Sequence, residues 1–312
     1  MQFAEMAFDA CAAKAKALNR AMKEIRDDYQ VAVILDADNI MSPDFLMQIN
    51  DAFARGFIAV QGHRVAKNLN TRFAVLDAIS EEINNSIFRK GHRALGLSSA
   101  LIGSGMAFDY AYYKQAMAGV TAHGEDKELE MKILMDRVKI EYLPNALVFD
   151  EKVQKAEVFA KQRKRWLSAQ LGMFRDYAGT GLKQLVTRGN IDLFDKVVQM
   201  MLPPRILHIG IVTLLFLSAL LDRVISVRDP WFSLPLFLYG GLWVITLAAL
   251  LVSIPRKFYN LNTLKALKTL PGAFLIMFSL LFRLKGASKT FIHTPHGTTN
   301  PSKLKDQHEN RH

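Results

Sequence analysis

Cysteine is nearly absent. Cys11 is the single one among 312 residues, which excludes an internal disulfide framework and a cysteine-based zinc site. Such usage fits a reducing compartment. Acid is scarce relative to base, with 29 Asp and Glu against 40 Lys and Arg, so the chain carries a net charge of +11. An excess of this size points to nucleic acid, an anionic membrane face or a phosphate-rich substrate. The first residues lack a cationic start ahead of an apolar run and carry Glu5 and Asp9, so no signal peptide is read and the N-terminal half is expected to stay cytosolic. Internal repeats and low-complexity blocks are also missing. With 50% hydrophobic and 22% charged residues, most of the chain is too apolar for disorder. The same balance is too oily for an ordinary soluble domain and too charged for a pure membrane bundle. The length allows roughly two domains of about 100 to 200 residues.

The chain changes character near Pro203-Pro204. Before that point apolar runs mix with charge at strand and helix spacing. After it, long apolar stretches are bounded by basic residues. Ile206 to Leu221 approaches the roughly 20 residues needed to span a bilayer if Met200 to Leu202 join across the prolines. Trp231 to Ile254 is a clearer span, followed by Arg256 and Lys257. Leu270 to Phe282 reads as a re-entrant or interfacial helix or a third crossing. The Asp222 to Pro230 loop holds only Arg223 and Arg228, whereas Arg256 to Lys268 and Lys285 to Arg311 are richer in cations. This bias places both chain ends in the cytoplasm and makes a multi-pass protein of the cytoplasmic membrane the expectation. Basic residues concentrated beside membrane segments fit anionic lipid, so no nucleic-acid partner is expected. The organisation read from the sequence is a catalytic domain over 1–150, amphipathic interfacial helices over 151–200, a membrane region of two or three helices over 201–285 and a polar cytosolic tail over 286–312. His293 and His296 in that tail read as solvated rather than as metal ligands.

Within the first part the element types alternate. Ala12 to Arg26 is helix-like and Val31 to Leu35 is an unbroken apolar strand. Pro43 to Ala54 reads as a helix capped by Ser42 with Pro43 at its first position, and Phe57 to Gln61 is the next strand. The alternation predicts an α/β layered domain with a mostly parallel sheet, in which ligands collect at the carboxyl ends of strands.

Three clusters carry chemistry. Asp36-Ala37-Asp38-Asn39 ends the first strand, and two carboxylates two residues apart there suit a hard divalent cation shared with substrate phosphates. An Asp-rich turn and a phosphatase of the haloacid dehalogenase type are the competing readings. Glu125-Asp126 begins the helix that carries Leu129 and Ile133; acids are favoured there by the helix dipole, and a positioned carboxylate also serves as a general base. Gln162, Arg165 and Trp166 share one helix face, where guanidinium suits phosphate and indole suits a sugar. Lys152, Lys155, Lys161, Arg163 and Lys164 in the same region equally suit a helix lying on a membrane.

In order and spacing, Lys14-Ala15-Lys16-Ala17-Leu18-Asn19, Asp36-Ala37-Asp38, Glu125-Asp126 and Gln162-x-x-Arg165-Trp166 resemble membrane-bound family 2 glycosyltransferases, the group of cellulose, chitin, hyaluronan and poly-N-acetylglucosamine synthases. The resemblance covers roughly Lys14 to Phe282 and removes the phosphatase reading. It implies a GT-A-type, Rossmann-like catalytic domain followed by transmembrane and interfacial helices. It also implies an inverting transfer from a nucleotide sugar, most readily UDP-linked, to a saccharide or lipid-linked acceptor. By the same resemblance Asp36 and Lys14 lie against the donor, Asp38 binds Mg²⁺ or Mn²⁺, and Asp126 is the catalytic base. Arg165 holds the diphosphate; Gln162, Trp166 and the Gly103-Ser104-Gly105 loop serve the acceptor, and Gln61 matches a Val-Gln strand end. One departure stands out. Family members carry a further strand-helix-strand portion and another Asp before the Lys-Ala-x-Ala-Leu-Asn segment, so the domain is expected to be incomplete at its N-terminus and weakly active or inactive alone. The alternative to an enzyme is a membrane protein that keeps the fold without the chemistry.

Overall fold

A computed structural model of the chain describes residues 14–26, 28–120, 124–154, 156–225 and 234–281, with side chains described at neither 156 nor 161. Cys11, His293, His296 and the expected tail over 286–312 lie outside the described residues.

The catalytic part orders as α1 (Lys14–Glu24), β1 (Val31–Ile34), β2 (Ile40–Met41), α2 (Phe45–Ala54), β3 (Ala59–Ala66) and α3 (Arg72–Asn84). A π-helical segment (Asn85–Gly91) carries α3 into the single turn α4 (His92–Ala94). Then follow β4 (Met106–Asp109), α5 (Tyr110–Met117), α6 (Glu125–Met135) and β5 (Ile140–Asp150). The strands form one sheet in the order β1-β4-β3-β5-β2. Only β3 and β5 pair in parallel, while β1 with β4, β3 with β4 and β2 with β5 are antiparallel. The expectation of a mostly parallel sheet is thus corrected to a mixed one. The reason is local. The Gly103–Gly105 loop crosses the carboxyl end of β1 and the middle of β3, with Gly105 N donating to Ile34 O (2.9 Å) and Gly62 N to Gly105 O (2.7 Å). A strand that starts at that end can only run back against its two neighbours. Among the described residues, β1 has no partner strand on its outer edge.

The second expected helix also moves. Ile40 and Met41 pair with Phe149 and Val148, and Ser42 N donates to Leu147 O (2.9 Å), so Ser42 extends a strand instead of capping a helix. The helix begins at Phe45, with Asp44 in the cap position.

Both faces of the sheet are covered. Phe45, Ile49 and Ala52 of α2 pack on Val60, Ala107, Leu143 and Val148. On the other face Leu101, Phe108, Tyr113, Met117, Leu129 and Ile133 form the larger core, which takes in Leu193 and Val197 from further along the chain. Truncating a fully buried Phe such as Phe45 or Phe108 costs about 3–5 kcal/mol.

Beyond the sheet, α7 (Ala156–Arg188) is a 33-residue helix, about 50 Å long at 1.5 Å per residue, and α8 (Ile191–Met201) folds back on it. Asn190 caps α8, its side chain accepting from Leu193 N at 3.2 Å. The expected join of Met200–Leu202 to the first apolar run does not form, because α8 ends before Pro203-Pro204. Instead α9 (Arg205–Ile225) gains its length at the other end, through Asp222 and Arg223. This helix is long and apolar enough to cross a membrane. The apolar α10 (Leu236–Val252) has 17 residues, and α11 (Leu261–Leu267) meets α12 (Leu270–Leu281) at a 41° bend, the two together reaching spanning length. Trp243 Nε1 donates to Thr213 Oγ1 (3.1 Å) and stacks on Phe216, joining α10 to α9. At Gly210 a Cβ would lie 2.2 Å from the Phe274 ring, so a glycine lets α12 close on α9.

Helix α3 ties this region to the sheet. Its Asp77 pairs with Arg163 of α7 (2.6 Å) and its Glu82 with Lys257 (2.9 Å). Ser80 O and Asn84 Oδ1 accept from Arg205 at 3.0 and 2.6 Å. Lys152 is buried on Asp150 (2.7 Å). Lys152 and Arg163, both read from the sequence as candidates for lipid headgroups, are therefore spent on internal carboxylates. The remaining turns join α10 to α12 through a short 3-10 helix at Arg256–Phe258, where Phe258 is buried with Val75, Ile79 and Ile83 of α3.

Candidate active site

The buried strand β1 delivers Asp36 and Asp38 to the carboxyl end of the sheet, and the Gly103–Gly105 loop closes over them. Gly103 and Gly105 have φ of +82° and +66°, values that only glycine adopts without strain. A Cβ on Gly105 would also lie 2.9 Å from Val148 Cγ2. Ser104 between them is fully buried. Its hydroxyl accepts from Asp36 N (3.0 Å) and meets the Asn39 amide at 2.6 Å. With the Asn39 oxygen turned to Ser104, its nitrogen stands 3.2 Å from carboxylate oxygens of both Asp38 and Asp150. The Asp38 carbonyl accepts from Lys67 Nζ at 2.9 Å. Ser104, expected to face an acceptor, thus spends its side chain on the carboxylate turn.

Gln61, expected at a strand end, lies inside β3, which runs on to Ala66, and has no exposed surface. Its amide nitrogen donates to Gly62 O (3.0 Å), Ser104 O (3.0 Å) and Gly105 O (3.2 Å), and its oxygen accepts from Ile102 N (3.1 Å). Every polar atom of this side chain is engaged with the loop or its own strand.

Lys14, at the first turn of α1, crosses the mouth of the site. Its ammonium donates to Asp36 Oδ1 (2.5 Å) and Gly103 O (2.7 Å) and lies 3.4 Å from Glu125 Oε1. Burial would depress its pKa, but the charges of Asp36 and Glu125 outweigh burial and raise it. Glu125 and Asp126 open α6, where unpaired backbone N–H groups favour acids. Burial pushes the Glu125 carboxyl up, the adjacent Asp126 charge adds to that, and Lys14 partly offsets both. A Cβ on Gly103 would stand 3.7 Å from the Asp126 carboxylate, so the loop and α6 are in van der Waals reach. Lys127 donates to Leu101 O (2.6 Å) and lies 3.2 Å from Glu130, which also pairs with Lys196 of α8 (2.6 Å).

The structure therefore brings Lys14, Asp36, Gly103, Glu125 and Asp126 into one cluster. Gln162, Arg165 and Trp166 stand on α7, which approaches the start of α6 where Ala169 Cβ would be 3.8 Å from a Cβ on Gly124. Ala169 lies one turn beyond Arg165 on that helix. Trp166 is 40% exposed, and the Gln162 Oε1 atom is buried with no hydrogen-bond partner. The sequence suggests for Arg163 only the part of a membrane-facing cation. Its guanidinium instead sits over the rings of Phe159 and Trp166, 4.9 and 4.6 Å from their centroids, while pairing with Asp77. Asn39 and Lys67 were also missed as site supports. Asn39 stood next to the Asp-x-Asp string, whereas Lys67 left no sequence signal.

Among the described residues, no group of three or more His, Cys, Asp or Glu side chains forms a metal centre. Asp36 and Asp38 offer hard carboxylate oxygens at one turn, a donor set that fits a divalent ion completing its shell with phosphate and water.

A mixed sheet covered by helices, with an Asp-x-Asp strand end facing a helix-borne acid, fits a GT-A-like glycosyltransferase domain. The sequence model described as Glycosyl transferase family group 2 matches residues 31–283, most of the chain, and the chain belongs to that family. No curated protein matches it. Membership implies glycosyl transfer between a nucleotide-sugar donor and an acceptor.

Proposed function

We propose that this chain is an inverting, membrane-associated glycosyltransferase that moves a hexose from a UDP-sugar to a saccharide or lipid-linked acceptor. The supporting observation is the Lys14 bridge, which holds the donor-side Asp36 and the base-side Glu125 together beside Asp126. Asp126 accepts the proton of an acceptor hydroxyl, whose oxygen bonds to the anomeric carbon on the face opposite the diphosphate. The bond from that carbon to the diphosphate oxygen breaks, and the nucleoside diphosphate leaves with the electron pair. An α-linked donor then yields a β-linked product. Arg165 pairs with diphosphate oxygens, and Gln162 and Trp166 receive the acceptor sugar. Asp36 and Asp38 are the residues that would hold Mg²⁺ or Mn²⁺, an ion whose chemistry is to offset charge on the departing diphosphate.

The spanning length of α9 and the exposed apolar side chains of α9, α10 and α12 support attachment to a membrane. The cation bias of the sequence favours the cytoplasmic membrane, with the site and tail on the cytosolic side. The motif resemblance to cellulose, chitin, hyaluronan and poly-N-acetylglucosamine synthases favours a polysaccharide or cell-envelope glycan as product. The test is product stereochemistry. The purified full chain in detergent, supplied with Mn²⁺, UDP-α-sugars and saccharide acceptors, is expected to turn over slowly and to give a β-anomeric product signal by NMR. An α-linked product would overturn the inverting assignment.

A further inference from the structure

The resemblance assigns Ser104 to the acceptor, but nothing assigns a role to its buried hydroxyl or to the four hydrogen bonds of Gln61. We propose that Ser104 and Gln61 are positioning residues for the donor side of the reaction: Gln61 fixes the glycine loop, and Ser104 uses that fixed loop to set the carboxylate turn Asp36–Asn39. The inference rests on the transferase reading given above.

The chain of contacts is continuous. Gln61 touches only backbone, taking Ile102 N and giving to the carbonyls of Gly62, Ser104 and Gly105. It thereby fixes the loop on both sides of Ser104. The Ser104 oxygen accepts from Asp36 N at 3.0 Å, leaving its own hydroxyl hydrogen for the Asn39 oxygen at 2.6 Å. That orientation turns the Asn39 nitrogen to the Asp38 and Asp150 carboxylates, 3.2 Å from each. One hydroxyl thus sets the backbone of the first carboxylate and, through one amide, the side chain of the second. Gln61 and Ser104 have no exposed surface, so water cannot replace either set of bonds. An Asp-x-Asp turn left to itself would sample several conformations, whereas a hard cation and a diphosphate require fixed oxygens. Ser104 meets neither Lys14 nor the base-side acids by hydrogen bond, while Gly103 meets both through its carbonyl and its approach to Asp126. The three-residue loop is therefore divided, with Gly103 facing the base side and Ser104 the donor side.

The experiment is Mn²⁺ titration by electron paramagnetic resonance on the detergent-solubilised full chain with UDP present, comparing wild type, Ser104→Ala, Gln61→Glu and Asp126→Asn. Gln61→Glu keeps the oxygen that receives Ile102 N and replaces the three-fold donor by an acceptor. Thermal unfolding of each variant is recorded alongside. Ser104→Ala is expected to weaken Mn²⁺–UDP binding about tenfold, as an unpaired buried N–H does. Gln61→Glu should weaken it at least as much, and Asp126→Asn should bind like wild type. In turnover assays Ser104→Ala should raise the donor KM and leave the acceptor KM and the pH profile of kcat unchanged, a split that general loosening of the fold would not give. Wild-type Mn²⁺–UDP affinity in folded Ser104→Ala overturns the proposal, as does an equal rise in acceptor KM. If Gln61→Glu does not fold, Ser104→Ala alone decides. Failure of the wild-type chain to bind Mn²⁺–UDP would instead count against the transferase reading itself.

Discussion

The ammonium of Lys14 lies 2.5 Å from Asp36 Oδ1 and 3.4 Å from Glu125 Oε1, so one cation at the start of α1 joins the carboxylate turn after β1 to the first turn of α6. Replacing it separates two carboxylates that the sequence holds 89 positions apart. Lys14→Met should reduce kcat/KM about tenfold, and removing the charge that lowers Glu125 should move the Glu125 titration further up. The acidic limb of the rate profile then shifts toward higher pH in Lys14→Met. An unchanged limb would show that Glu125 titration does not report on activity.

The two left-handed glycines of the loop should differ in cost. At Gly103 a Cβ has ordinary clearance, so Gly103→Ala carries only the backbone strain of positive φ, about 1–2 kcal/mol. At Gly105 the same strain is joined by a 2.9 Å approach to Val148 in the core. Thermal unfolding should therefore place Gly105→Ala below Gly103→Ala, and equal midpoints would contradict the packing described.

A pH dependence of stability comes from the pair His92 and Asp195, which docks α8 onto the segment after α3. His92 bonds to Asp195 (3.0 Å) through Nε2 and to Ile87 O (2.7 Å) through Nδ1. The Asp195 hydrogen bond raises the His92 pKa above 6.5, against burial and the nearby Lys196 charge. Burial would raise Asp195, but the His92 hydrogen bond and charge hold it below 3.8. The histidine contribution is full below pH 6.5 and is lost as pH rises through its raised folded value. The aspartate contribution is full above pH 3.8 and is lost as pH falls through its depressed one. The pair therefore stabilises most between those limits. His92→Gln should lower the unfolding midpoint at pH 6 more than at pH 8, and an equal loss at both would refute the pairing.

Arg163 should matter beyond its charge. Its guanidinium stacks on Phe159 and Trp166 while bonding to Asp77, so Arg163→Lys keeps the charge and loses the planar stack. That variant is expected to lose about 0.5–2 kcal/mol of stability. It should also raise the acceptor KM by loosening Trp166. Measuring both for Arg163→Lys and Arg163→Ala checks the account, since an acceptor KM unchanged in either would remove Arg163 from the support of Trp166.

How much of this was legible beforehand follows from what kind of signal each part leaves. β1, α2, β3 and α6 were visible because burial of one face writes period and punctuation into the sequence. The Asp36-x-Asp38 strand end and the acids that open α6 could be placed in the fold because strand ends and helix starts leave local signals. The antiparallel course of β4 was not, because it is set by the Gly103–Gly105 loop crossing two strands that are distant in sequence. The strand at Ile40–Met41 escaped for a similar reason: two residues carry no period, and its partners Val148 and Phe149 lie over 100 positions away. The internal pairing of Lys152 and Arg163 is likewise a tertiary fact, since a lysine on a helix or loop looks the same whether it faces lipid or a buried carboxylate. The bonds of the Ser104 hydroxyl to Asp36 N and Asn39 left no signal, because a sequence places a residue in a loop without saying which way its hydroxyl turns.

The most direct test of the central claim, that Asp126 is the base of a nucleotide-sugar-dependent transfer, is nucleoside diphosphate release by the purified full chain with UDP-sugars, Mn²⁺ and acceptor, comparing wild type with Asp126→Asn. Wild type should release UDP only with acceptor, and Asp126→Asn should lower that release at least about 100-fold, the scale of losing a general base, while Mn²⁺–UDP binding is retained. Acceptor-dependent release that survives Asp126→Asn would contradict that claim.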